Sequence, residues 1–174
     1  FLTSGNLNIK TIKKEKLPND NIDFYISNFK ENNIYESKII LNYFKNCSFK
    51  EKQILQIIPC NDDFIWDANE IIYIDFCNKK YKIISENDLI DSKENYNVMQ
   101  LKVRSEIFMS IVKNYFSWED LIIGFQARIK RNPNTYEMKF WYYFTNEYIS
   151  KKNFRYNSKC GSCEVIDQNP LWIR

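Results

Sequence analysis

Cys160 and Cys163 form a C-x-x-C pair, a spacing that can direct two thiolates to one zinc ion or form a redox disulfide. A structural zinc site needs four ligands, and the chain has no second such pair and no histidine. A redox pair is typical of a helix start after a strand, whereas this pair follows a polar segment. We therefore expect no metal in this chain. Cys160 and Cys163 remain candidate ligands of a half-site that residues beyond Arg174 would complete.

The absence of histidine, with 0 among 174 residues, limits the chemistry that this chain can perform alone. Histidine is the usual base for a serine or cysteine nucleophile and the commonest side-chain ligand of metals. The chain also lacks a glycine-rich phosphate-binding loop, since it contains only 3 glycines. These features exclude a histidine-dependent metal hydrolase, and a histidine-activated nucleophile, built from this chain alone.

Three carboxylates lie close together in the sequence at Asp62, Asp63 and Asp67, and such a group can bind a hard cation. The segment lacks the glycine and the further oxygen ligands of a calcium loop. A solvated turn is therefore the favoured interpretation of these three residues.

A basic stretch carries Arg128, Lys130 and Arg131, with Trp118 and Gln126 nearby in the sequence. Arginine side chains and neighbouring aromatic rings can bind a phosphate group or a nucleic-acid backbone. Cations on one strand are also common where that strand simply faces water. We take Trp118, Gln126, Arg128 and Arg131 as candidate substrate-binding residues, with an anionic small molecule as the favoured ligand and nucleic acid as the alternative.

The composition indicates a folded domain, since 44% of the residues are hydrophobic and 17% are aromatic. The net charge is only +3, with a pI near 8.5, which is weak evidence for nucleic-acid binding. No apolar run is long enough to span a bilayer, and the start resembles no secretory signal. Cys47, Cys60 and Cys77 lie in or beside apolar runs, which favours a reducing, cytoplasmic location. Because the chain begins at Phe1 without a methionine, we expect it to be part of a longer protein.

Hydrophobic periodicity predicts an α+β fold of mixed helices and short strands. Helices are predicted at residues 19–32, 36–46 and 104–116 and from 136 onward. Strands are predicted at 53–58, 71–76, 80–84, 98–103 and 123–130, with a capped helical turn at 85–88. We divide the chain into a sandwich-like part at 1–97, a helix–strand–helix unit at 98–149 packed on it, and an extended tail at 150–174.

One longer pattern runs from Trp118 to Tyr136 and has the form W-x-x-x-x-I-G-x-x-x-x-x-x-R-x-P-x-x-Y, followed by further aromatic residues. Upstream, residues 58–67 (IPCNDDFIWD) are similar to a PGD…WD loop whose glycine is replaced here by Cys60-Asn61. In order and rough spacing, both stretches resemble the C-terminal region of metallo-β-lactamase-fold proteins. The group concerned includes UlaG-like hydrolases and the relatives of CMP-N-acetylneuraminate hydroxylase.

The resemblance implies the C-terminal half of a metallo-β-lactamase-type αββα sandwich with a helix–strand–helix appendage. It implies a part, non-catalytic in isolation, of a metal-dependent hydrolase or oxygenase that acts on an anionic substrate related to sugar nucleotides or polysaccharides. The H-x-H-x-D-H metal motif of such proteins has no match here. Zinc or iron would therefore belong to the rest of a longer protein, and the partner would be that remainder or a second subunit. In this interpretation Arg128 and Arg131 contact the anionic group of the substrate.

Overall fold

The computed structural model describes residues 19–66 and 70–150. A helix, α1 (Asn19–Asn32), belongs to a first unit, and a second unit starts at Asn33. Asp67, Cys160 and Cys163 lie outside the described residues, as does the predicted tail after residue 150. None of the helices in the described ranges is both long and apolar enough to cross a bilayer.

A five-stranded sheet with the order β3-β2-β1-β4-β5 forms the centre of the second unit. Its strands are β1 (Gln53–Cys60), β2 (Ile71–Asp75), β3 (Lys80–Ile84), β4 (Asn97–Arg104) and β5 (Ala127–Asn132). β1 runs parallel to β4 and antiparallel to β2, while β5 is antiparallel to β4. The mixed α+β fold predicted from the sequence is confirmed. The predicted division at residues 97–98 falls at the start of β4.

Helices pack on one face of the sheet around a cluster of aromatic side chains. They are α2 (Ser37–Lys45), α3 (Ser105–Asn114), α4 (Glu119–Ile123), α5 (Met138–Tyr142), a π-helical turn (Tyr143–Glu147) and α6 (Tyr148–Ser150). Trp118, which is 0% exposed, stacks on Phe144 with ring centres 4.6 Å apart. Its indole N–H donates to the hydroxyl of Tyr43 at 3.0 Å. A buried indole with its one donor satisfied is a stable core element.

The strand predicted at residues 123–130 starts later than the alternation of apolar residues indicated, and this part of the prediction is wrong. Residues Glu119–Ile123 form α4, and β5 begins only at Ala127. In the turn between them, Phe125 has a left-handed φ of 53° and its side chain is 84% exposed. The backbone hydrogen bonds of a helical turn use amide groups that a strand would need for pairing, so the two alternatives exclude each other.

Two other turns agree with the sequence prediction, and one strand is longer than predicted. β2 and β3 form the predicted hairpin, and Ser85 and Asp88 form a reciprocal capping box at a short helical turn. β1, however, continues through Pro59 to Cys60. Pro59 lies beyond the last residue that pairs with β2, so its missing N–H removes no bond from that ladder.

The face of the sheet opposite the helices, which we call the second face, is covered near its middle by the segment that joins β3 to β4. Gln56 in β1 donates from Nε2 to the carbonyl oxygen of Ile90 at 2.7 Å and accepts from the Ile90 N–H at 2.9 Å. Gln100, opposite Gln56 in β4, donates to the same carbonyl at 3.1 Å and to Asp91 Oδ1 at 2.8 Å. We call these bonds between Gln56, Gln100 and Ile90-Asp91 the glutamine clasp. With both faces covered, all 8 residues of β1 are buried.

Gln56→Leu should lower the free energy of unfolding by about 2 kcal/mol, because the part-buried N–H of Ile90 would lose its partner. Urea denaturation measures the difference, and an unchanged m value would show that the unfolded state is not affected. Gln100→Leu is the matched control and should cost only about 1 kcal/mol, since Gln100 shares its acceptor and is only half-buried. A Gln56→Leu variant as stable as the parent protein would contradict this role of the clasp.

Asp75, at the end of β2, is 1% exposed and pairs with Lys93, whose Nζ lies 3.1 Å from Asp75 Oδ2. Asn78 donates its backbone and side-chain N–H groups to the same carboxylate at 3.0 and 2.9 Å. Burial alone would raise the pKa of Asp75. The hydrogen bonds from Asn78 and the charge of Lys93 outweigh burial and hold the pKa of this carboxyl below its usual value.

This depressed pKa predicts a loss of stability in acid. A carboxylate of this kind stabilises the fold above its unfolded-state pKa of about 3.9, and the contribution disappears as the pH falls through the lower folded-state value. Asp75→Asn should lower stability near neutral pH and remove this part of the acid dependence. Urea denaturation between about pH 3 and pH 7 measures both effects, with the exposed carboxylate variant Glu94→Gln as control. An Asp75→Asn protein with the parental pH profile would refute the assignment.

Candidate functional site

The register of β4 and β5 brings cationic side chains together at the end of the second face beyond the glutamine clasp. Lys102 lies directly opposite Arg128, and Gln100 lies opposite Lys130 one row away. Because side chains alternate along a strand, these four point away from the aromatic core. Arg104, the last residue of β4, has the same orientation as Lys102 and Gln100.

The ring of Phe64 lies against two of these cations. The guanidinium carbon of Arg128 is 4.4 Å, and that of Arg104 is 5.0 Å, from the centre of the ring. Neutral oxygens also hold Arg104, whose Nε donates to the carbonyl of Asp62 at 3.0 Å and whose Nη1 donates to Gln126 Oε1 at 2.8 Å. We use the name basic corner for Phe64, Lys102, Arg104 and Arg128.

The turn after β1 positions the Phe64 ring. Asn61 Oδ1 accepts hydrogen bonds from the N–H groups of Asp63 and Ile65, both at 3.0 Å. Between these two anchored residues Phe64 has a φ of 60°, a left-handed conformation that bulky residues seldom adopt. Strained backbone of this kind persists where surrounding contacts over-determine it, and it is common at functional sites.

The charges of the second face divide into a paired row and an unpaired row. Lys130 forms an ion pair with Asp91 at 2.7 Å. Within residues 19–66 and 70–150, no carboxylate forms an ion pair with Lys102, Arg104 or Arg128. A shallow groove of about 330 Å³ runs along this edge and is lined by Gln100, Lys102, Arg128, Ile129 and Lys130.

The cations of the basic corner act electrostatically on the buried thiol of Cys60. Burial raises the pKa of Cys60, and the charges of Lys102 and Arg128 act in the opposite direction. The thiol itself is 0% exposed and donates to the carbonyl of Ile58 at 3.4 Å. Cys60 is therefore a protonated core residue that lies beneath the cations.

The structure brings only two of the four predicted substrate-binding residues to this corner. Gln126 accepts a hydrogen bond from Arg104, and Arg128 lies on the Phe64 ring. Trp118 lies in the core, and Arg131 lies on the helix-covered face because adjacent residues of β5 point in opposite directions. A role for Trp118 or Arg131 in substrate binding stays a prediction.

Of the three neighbouring carboxylates at Asp62, Asp63 and Asp67, the first two lie within the described residues. Asp62 and Asp63 are exposed on the turn that carries Phe64. In the described part of the chain, no group of three or more histidine, cysteine, aspartate or glutamate side chains is arranged to hold a metal ion.

Phe64, Lys102 and Arg104 were not expected to belong to one site. The sequence predicts a strand at 98–103 that includes Lys102 and a helix at 104–116 that begins with Arg104, whereas β4 extends through Arg104. The common face of Lys102 and Arg104 therefore follows only from the observed end of β4. The pairing of Lys102 with Arg128 depends on the register between β4 and β5, which local periodicity does not determine.

The fold and the basic corner together define an α+β domain with one mixed sheet that presents cations at one end. No protein-family model matches the chain. It is similar to cytidine monophosphate-N-acetylneuraminic acid hydroxylases. The Xenopus laevis protein is 42% identical over 45 residues, which cover 26% of this chain and 8% of that protein. The Danio rerio protein is 27% identical over 117 residues, which cover 66% of this chain and 19% of that protein.

The inactive human protein of the same name is 38% identical over 45 residues, or 26% of this chain and 9% of that protein. The chain therefore spans less than 20% of the length of these relatives, 19% in the longest match. These similarities agree with the hydroxylase part of the resemblance seen in the sequence. The metallo-β-lactamase part stays a prediction.

Two solved structures show distant similarity to the chain. Sterol carrier protein 2 from Yarrowia lipolytica has a TM-score of 0.38 and 14% identity, covering 78% of this chain and 94% of that chain. Sterol carrier protein-2 like-3 from Aedes aegypti has a TM-score of 0.34 and 16% identity, covering 63% of this chain and 84% of that chain. Similarity at this level supports no functional conclusion.

Replacing Phe64 should reveal its backbone strain. Phe64→Val should be less stable than Phe64→Gly by about 1–2 kcal/mol, because glycine adopts a positive φ freely and a β-branched residue does not. Apolar surface alone predicts the reverse order, since valine retains more of it. Urea denaturation of the two variants side by side decides the question, and a valine variant at least as stable as the glycine variant would contradict the left-handed conformation.

Proposed function

We propose that this chain is a region of an enzyme that acts on a sugar nucleotide, and that it binds the anionic part of the substrate without holding a catalytic centre itself. The observation that supports this proposal is the similarity to cytidine monophosphate-N-acetylneuraminic acid hydroxylases. The full sequence has no histidine, so a histidine-bound zinc or iron ion would have to be held outside this chain.

In this proposal, a metallo-β-lactamase-type sandwich would be formed by the remainder of a longer protein and not by the sheet described here. In such a sandwich two sheets pack face to face. Here the second face of the described sheet is covered around Ile90 by the glutamine clasp, so a second sheet would have to pack elsewhere.

An exposed apolar surface supports packing against the remainder of the same protein. Large apolar side chains around α4 and α5 are between 40% and 84% exposed: Ile122, Ile123, Phe125, Tyr136, Met138 and Tyr142. Most of them line a groove of about 330 Å³ beside Trp141. Contiguous apolar surface of this kind is typical of protein–protein contacts. We take the remainder of the protein as its partner, with a second subunit as the other occupant.

The test is steady-state kinetics of the intact enzyme with its sugar nucleotide. Arg128→Ala should raise KM by about tenfold and change kcat little, because the lost contact binds the substrate and the transition state equally. Lys82→Ala is the matched control, since Lys82 is an exposed cation on the same sheet face at the opposite edge. An Arg128→Ala enzyme with the parental KM would remove the proposed contact.

A nucleic-acid-binding module is the second candidate, favoured by the cations beside the Phe64 ring, which have no carboxylate partner among the described residues. The ring already contacts two guanidinium groups, which leaves less of its surface for stacking on a base. Binding through the three cations would give a log–log salt dependence with a slope of about −2 to −3. An oligonucleotide affinity with that slope, in a protein that turns over no sugar nucleotide, would favour this alternative.

A further inference from the structure

We propose that the basic corner is a phosphate-binding site whose ligand is a phosphate ester or a diphosphate group. Lys102 and Arg128 would contact the phosphate oxygens from neighbouring strands, and Arg104 would contact them from the end of β4. That the phosphate comes from a sugar nucleotide rests on the proposed function, whereas the site itself rests on the geometry of the corner.

The first argument is the pairing of like charges. Lys102 and Arg128 lie directly opposite each other on an antiparallel pair, an arrangement that destabilises a sheet unless another group offsets the repulsion. In the adjacent row, Lys130 lies opposite the neutral Gln100 and is itself paired with Asp91 at 2.7 Å. Among the described residues no carboxylate pairs with Lys102 or Arg128. A bound anion would remove the repulsion.

The second argument is that the guanidinium groups are held without being neutralised. Arg104 is fixed by a carbonyl oxygen, by an amide oxygen and by the face of Phe64, all of which are uncharged. Arg128 is held by the same ring. A guanidinium that is fixed before binding loses less conformational freedom when it meets a planar or tetrahedral anion, and it keeps its full charge for that anion.

The third argument is the balance of charge, which favours a phosphate over a carboxylate. Three cations lie at the corner, and among the described residues no carboxylate forms an ion pair with any of them. A single carboxylate would neutralise only one of these charges. A phosphate monoester or a diphosphate carries more charge, and any phosphate group matches the forked donors of arginine.

The test is isothermal titration calorimetry of the full chain with inorganic pyrophosphate. Arg128→Ala should weaken binding by about tenfold, and Arg128→Lys by less, because lysine keeps the charge but loses the forked donors. Lys102→Ala should weaken binding by about threefold. Lys102 is exposed, so its variant keeps the test valid even where Arg128→Ala is unstable. Lys82→Ala should bind as the parent does.

Further ligands separate the outcomes. A nucleoside monophosphate should bind and its nucleoside should not, while a sugar carboxylate should bind much more weakly than pyrophosphate. Equal binding of the carboxylate, no binding of pyrophosphate, or binding that is indifferent to Lys102 and Arg128 would each overturn the phosphate site. Pyrophosphate binding that depends on these residues, together with an unchanged KM for the sugar nucleotide in Arg128→Ala, would keep the site and remove the proposed function.

Discussion

The burial of β1 on both faces is the constraint on which the rest of this structure depends. The strand lies between β2 and β4, and all 8 of its residues are buried. A buried amide is tolerated only when its hydrogen bonds are made inside the protein, so Gln56 needs partners above the sheet. Ile90 supplies them through both of its backbone groups. The same bonds bring Asp91 over β4 and β5, where it pairs with Lys130.

The clasp covers the middle of the second face and does not extend to its end. Beyond the row of Gln56 and Gln100, the next row holds Lys102 and Arg128, which the segment around Ile90 does not reach. Among the described residues, the turn that carries Phe64 lies over this end, and it contacts the cations with an aromatic ring rather than a carboxylate. The exposed cations are therefore a direct consequence of where the buried glutamine finds its partner.

The aromatic pattern that begins at Trp118 serves the fold on the other face. Trp118 donates to the hydroxyl of Tyr43, and the hydroxyl of Tyr148 donates to the Tyr43 carbonyl at 2.6 Å. Burial raises the pKa of Tyr43, although the hydrogen bond from Trp118 acts in the opposite direction, so this phenol remains neutral in the core. These bonds connect α2 to the segments before α4 and at α6, and they hold the helices that carry the exposed apolar surface.

The sequence was sufficient for the α+β class, the β2–β3 hairpin and the capped turn at Ser85, because each depends on local periodicity or local hydrogen bonds. It was insufficient where non-local contacts decide. Phe125 fits a two-residue alternation but lies in a turn. Trp118 is an aromatic residue near a basic stretch, which suggested ligand binding, but it lies in the core. Arg128, a candidate substrate-binding residue from the sequence, lies on an exposed strand face, while its neighbours Lys102 and Phe64 come from segments that the β4–β5 register and the turn after β1 bring beside it.

The ion pair between Lys130 and Asp91 also gives the groove along β5 a polarity. At the Lys130 end the charges cancel, and at the Arg128 end they do not. An elongated ligand with an anionic head and a neutral body would therefore have one preferred direction in this groove, with its head toward Phe64.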